Sequence, residues 1–165
     1  MDIKSVLSGV KTFLAGNGVD KDSVRRLDFG VLRTMMMIAA VDGEVSKAEM
    51  EEFLKMATDG SIGTGKAFDR LWKASLRSAG YLSMQAKLLE KDELVKEFLA
   101  EAECDFVQNV MYENRQEREN AFKCLETMAA ADGDYSEIER ACITALVERV
   151  KKAWEDEILL QASVR

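Results

Sequence analysis

Six carboxylates occupy matching places in a stretch that occurs twice. Asp42, Glu44 and Glu49 lie in Ala39-Ala40-Val41-Asp42-Gly43-Glu44-Val45-Ser46-Lys47-Ala48-Glu49. Asp132, Asp134 and Glu139 lie in Ala129-Ala130-Ala131-Asp132-Gly133-Asp134-Tyr135-Ser136-Glu137-Ile138-Glu139. The copies align without a gap at an offset of 90 residues, Asp42 to Asp132. Carboxylate oxygens in this number suit a hard divalent cation. Asp42 and Asp132 each fall at the end of a predicted helix, where free carbonyls disfavour a carboxylate by roughly 0.3–1 kcal/mol. Glu44 and Asp134 follow two positions on, so the charges repel unless a cation, a proton or the next helix's amides intervene. The alternative is local: an aspartate can accept amides of its own turn.

The other shared residues read as helix punctuation. Gly43 and Gly133 stand where a helix ends, and glycine takes the left-handed conformation there without penalty. Ser46 and Ser136 are N-caps, with Glu49 and Glu139 three residues later in the spacing of a capping box. The second half of an EF-hand loop, D-G-x-hydrophobic-x-x-x-E, matches both copies. Its first half requires acids where Ile38 and Ala40, or Met128 and Ala130, stand. Neither copy is therefore an EF-hand, and any cation site would use more water or ligands from both copies.

The elements that must position these turns are helical. The chain has 165 residues, 47% hydrophobic and 32% charged, enough for one domain with a real core. It contains no proline, and only 7% of its residues are aromatic. The expectation is an all-α fold, a compact multi-helix bundle carrying two pseudo-equivalent helix–turn–helix units. A single domain over residues 1–165 is expected, with its core at about 20–155, an N-terminal helix at 2–14 and a C-terminal tail at 156–165.

Periodicity divides the chain further. Ile3, Val6, Leu7, Val10, Phe13 and Leu14 mark an amphipathic helix that Gly16-Asn17-Gly18 breaks. The next helix starts near Asp20 or Asp22, turns Val24, Leu27, Val31, Leu32, Met35, Ile38 and Ala39 inward, and ends at Asp42-Gly43. Met35-Met36-Met37 reads as core rather than a soft-metal surface. Ser46 opens a helix that stops at Asp59-Gly60. Another runs from about Ala67 to Gly80, and Ser83 caps a further one. The stretch 92–131 is expected to break once, near Tyr112–Arg115. Ser136 opens the last helix, which reaches about Trp154. From about Ile158 the short apolar tail packs on the body or frays.

Several other signals are discounted. Gly60-Ser61-Ile62-Gly63-Thr64-Gly65-Lys66 fits G-x-x-x-x-G-K, but Ala67 replaces the magnesium-binding Ser or Thr and a helix, not a strand, precedes it. Glu51-Glu52, and Glu101 with Glu103, read as solvated helix faces rather than acid/base pairs. Trp72 and Trp154 read as core or groove residues. Cys104, Cys124 and Cys142 form no close pair, so reduced cysteines of a cytoplasmic protein are expected. Histidine is absent, which removes the commonest general base and zinc ligand. The net charge of −7 argues against nucleic acid. No apolar run approaches the roughly 20 residues needed to span a bilayer.

A helix ending in Ala-x-Asp-Gly, followed by Ser-x-x-Glu and repeated late in the chain, resembles the TerB-like proteins. This is the tellurite-resistance TerB family, whose fold recurs in the central part of DjlA-type co-chaperones. The resemblance covers about residues 25–152 in layout; at residue level the two motifs carry it. It implies paired helical hairpins and a metal ion held by Asp42, Glu44 and Glu49 with Asp132, Asp134 and Glu139. It also implies a stress or tellurite response exercised through protein partners near the membrane.

The function expected is non-catalytic: a cytoplasmic TerB-like domain that binds a divalent cation and acts as scaffold or sensor. Calcium or magnesium ranks ahead of zinc, since neither histidine nor a cysteine pair is present. The alternative is a protein-interaction module without metal, whose acidic turns only cap helices. A nucleotide enzyme using the glycine-rich segment is a third and weaker reading.

Overall fold

Thirteen consecutive residues, Phe29 to Val41, contain only two polar side chains, Arg33 and Thr34. A helix that is apolar all round belongs inside a bundle rather than on its surface. The computed structural model, which describes residues 26–43, 66–130 and 136–163, places this helix at the centre. Helix α1 (Arg26–Ala40) is buried on every side from Gly30 to Val41 except at Arg33. The whole Met35-Met36-Met37 run is in the core, so these flexible side chains act as filler. Among the described residues every regular element is a helix and none is a strand.

Helix α2 (Lys66–Ala86) packs along α1. It runs through Gly80 and Ser83, where a stop and a new start were expected. The reason is packing: Ser75, Ala79, Leu82 and Ser83 keep one small-residue face buried across that point. Against such burial one glycine costs only about 1 kcal/mol. A turn at residues 87–89 leads to α3 (Lys91–Ala102), which buries Leu94, Phe98 and Ala102.

At Ala102 the hydrogen-bond period changes. Glu103–Val107 form a π-helical turn, which passes into a last α-helical turn, α4 (Gln108–Val110). The extra residue lets Phe106 and Val107 both face the core, with Phe106 edge-on to Phe122 at 5.6 Å. The chain breaks at residues 111–114, where a break was expected. Asn114 then accepts the Glu117 amide at 2.9 Å and caps α5 (Arg115–Ala130).

Helix α6 (Glu137–Ser163) is the longest of the described elements. It passes Trp154, the expected end, without a break, because neither glycine nor proline occurs between Glu137 and Arg165. Its last turn is closed by the Ser163 hydroxyl, which donates to the Leu160 carbonyl at 2.7 Å. The expected helix at 2–14, the helix opened by Ser46 and most of the glycine-rich Gly60–Lys66 segment lie outside the described residues.

Candidate functional site

At the first turn, α1 ends as its sequence predicts. The Gly43 amide donates to the Ala40 carbonyl at 3.0 Å, and Gly43 has φ +78°, a conformation that disfavours any side chain. The turn lies against the end of α2, since a Cβ at Gly43 would stand 3.8 Å from that of Ala86. Asp42 is half-buried. Glu44, Glu49, Asp132 and Asp134 lie outside the described residues.

At the second turn the capping half of the motif is formed. The Glu139 amide donates to Ser136 Oγ at 3.3 Å, and the Ser136 hydroxyl donates to Glu139 Oε1 at 2.7 Å. The carboxylate thus accepts a hydrogen bond from the cap's hydroxyl, and Glu139 is entirely out of solvent, at 0% exposure. One turn on, burial pushes the Cys142 thiol up to about 12, and the negative Glu139 adds to the shift. Of the six predicted ligands, then, the described residues include Asp42 and Glu139, and Glu139 engages one carboxylate oxygen, Oε1, in the helix cap. Among the described residues, no group of three or more Asp, Glu, Cys or His side chains is placed to hold a metal ion.

A second polar centre gathers residues far apart in sequence. Its root is Gly30, where α1 crosses the π turn so closely that a Cβ would stand 1.9 Å from the Asp105 carbonyl oxygen. One turn later Arg33 spreads its guanidinium over the turn. Nη1 donates to the Glu101 carbonyl at 2.7 Å and to Asp105 Oδ2 at 3.0 Å. Nη2 donates to Glu101 Oε2 at 2.8 Å, and Nε to Ser78 Oγ of α2 at 2.9 Å. Asn109 Nδ2 donates to the Asp105 carbonyl at 2.7 Å. A π turn displaces carbonyls from the regular ladder, and here side chains satisfy two of them.

Arg33 forms the floor of a cleft of about 540 Å³ that Arg77 and Tyr81 also line. The Tyr81 hydroxyl donates to Glu97 Oε2 at 2.9 Å; that bond, more than any other cause, raises its pKa. Both carboxylates on the cleft wall, Glu101 and Asp105, are ion-paired to the same Arg33 guanidinium, at 2.8 and 3.0 Å.

Glu103 is also engaged. Arg149 of α6 grips it with both ends of its fork, Nη2 to Oε1 at 2.5 Å and Nε to Oε2 at 3.1 Å. Glu101 and Glu103 are therefore not the solvated helix face expected; each ties the π-turn region to a different helix. The overlooked signals were an arginine and a glycine inside an otherwise apolar helix.

Of the exposed large apolar side chains among the described residues, Tyr81, Met84, Leu88 and Tyr112 are scattered and the other five lie on α6. Val147, Trp154, Ile158, Leu159 and Leu160 are all exposed. The Arg118 guanidinium covers the Trp154 ring at 5.2 Å from its centroid. No described helix is long and apolar enough to cross a membrane. No family model matches the chain, and no significant match to it is found among curated proteins or solved structures.

Proposed function

We propose that the protein is a non-catalytic interaction module, with its repeated Asp-Gly turns serving to stop and restart helices. The observation that supports this reading best is the far end of α6. Beyond Ala153, its last buried residue, the helix continues through residues 154–163 with Ile158, Leu159 and Leu160 all exposed. Three successive positions span about 200° of a helix's circumference, so no single face of the body covers them. Contiguous exposed apolar surface of this kind marks an association site. Removal of residues 155–165 tests the reading. The thermal midpoint is expected to fall by no more than about 2 °C, because the deleted groups are outside the core. A shortened chain that unfolds or loses far more would show that the segment belongs to the core.

The second reading keeps the TerB-like cation site. It is favoured by Asp42, a half-buried carboxylate at the carbonyl end of α1 beside a left-handed glycine. On that reading Asp42 and Asp132 supply primary oxygens to calcium or magnesium, and Glu44, Asp134, Glu49 and Glu139 supply secondary ones or act through water. The two turns then belong to equivalent helix–turn–helix units, in a cytoplasmic stress-response protein acting through protein partners.

A further inference from the structure

Resting on the interaction reading, we infer that the exposed flank of α6 binds a second copy of this chain, as an antiparallel helix pair about a two-fold axis between Lys152 and Ala153. At about 100° per residue, positions 147, 154 and 158 fall inside an arc of about 40°, and position 151 lies beside them. Val147, Trp154 and Ile158 are 40%, 41% and 44% exposed along three turns of helix, the Trp154 ring carrying the Arg118 guanidinium on one face. Lys151 and Glu155 are exposed as well, and neither has an ion-pair partner among the described residues.

The order of charges selects the occupant. Lys151 and Lys152 precede Glu155, Asp156 and Glu157 along the helix. A positive block followed by a negative one repels itself in a parallel pair and complements itself in an antiparallel pair. With the axis between Lys152 and Ala153, Val147 meets Ile158 of the second copy and Lys151 lies alongside its Trp154. The flank beside Lys151 then faces Glu155 of the second copy, and the symmetry makes that ion pair twice. An isologous two-fold contact of this kind is the commonest way a soluble chain associates with itself.

Sedimentation velocity on the full chain, across a dilution series in the micromolar range, tests the pairing. The wild type is expected to show a concentration-dependent dimer. Lys151→Glu and Glu155→Lys, each alone, are expected to weaken it on the order of tenfold or more by placing like charges together. The double variant is expected to regain wild-type association, because it re-forms both pairs with reversed sign. Ile158→Asp, at an exposed position, is expected to abolish the dimer while circular dichroism stays unchanged. A wild type that is monomeric throughout, or a double variant no better than the singles, would overturn the inference. If residues 155–165 can at the same time be removed without loss of stability, the interaction reading survives that failure; if their removal unfolds the chain, both fall.

Discussion

Replacing Gly30 with alanine probes the close approach of α1 to the π turn. The new methyl group would stand 1.9 Å from the Asp105 carbonyl oxygen and 2.6 Å from its carbon. An ordinary carbon–oxygen contact is about 3.3–3.6 Å, so α1 and the π turn must separate by roughly 1.5 Å. Such a shift carries the Arg33 bonds, now 2.7–3.0 Å, beyond hydrogen-bonding range. Overpacking of this sort costs roughly 1–3 kcal/mol. Stripping partners from a buried charge can add about 3–5 kcal/mol, but the carboxylates here are 31% and 39% exposed and water recovers much of that. Alanine's better helix propensity returns about 1 kcal/mol. The expected net loss is about 3 kcal/mol, or roughly 6–12 °C in Tm for a chain of this size. Gly80→Ala is the control. It also lies inside a helix, but nothing stands within 4 Å of its would-be Cβ, so a gain of about 0.5–1 kcal/mol is expected. Urea or thermal denaturation of both variants reads the difference. Equal stability of Gly30→Ala and wild type would refute the crossing geometry.

Two further outcomes can be measured on the same samples. Calorimetry with calcium, magnesium and manganese on chelator-treated protein should show no heat if the turns are punctuation alone; the cation reading instead expects stabilisation of ~2.7 kcal/mol at a hundredfold excess over Kd, lost in Asp42→Asn. The buried Cys142 thiol, raised from 9.0 to about 12, stays protonated in the folded chain while the unfolded chain releases its proton. Its contribution is therefore complete below about pH 9 and lost as the pH rises toward 12. Between about pH 8 and about pH 10 the wild type should lose about 1 kcal/mol more stability than Cys142→Ala, and equal losses would count against that burial.

What could be read in the sequence was local. The end of α1 at Gly43, the Ser136 cap and the break near Tyr112 each depend on residues within one turn of chain, and each appears where expected. Helix length was legible only where nothing outside the helix decided it. Gly80 and Ser83 look like a boundary in isolation, yet the buried face of α2 carries the helix through them. Beyond Trp154 the opposite holds: the helix persists through an exposed apolar segment because no residue there stops it.

The Arg33 centre lies at the other extreme. Ser78, Glu101 and Asp105 are separated from Arg33 by 45, 68 and 72 residues, and no spacing rule joins them. Even their register depends on the π turn, which no periodicity in Glu103–Val107 announces. The turn and the close crossing at Gly30 require each other, for only a glycine lets α1 approach the displaced backbone, and only that approach brings Arg33 onto the Glu101 carbonyl. The six acids of the repeated turns attract attention because they are neighbours in sequence, whereas these residues meet only once the chain has folded. Glu139 shows the distinction within a single motif: its position in Ser-x-x-Glu predicts a cap, and the cap engages one oxygen of its buried carboxylate. The cation reading therefore rests on the acids nearest the glycines, Asp42 and Glu44 with Asp132 and Asp134.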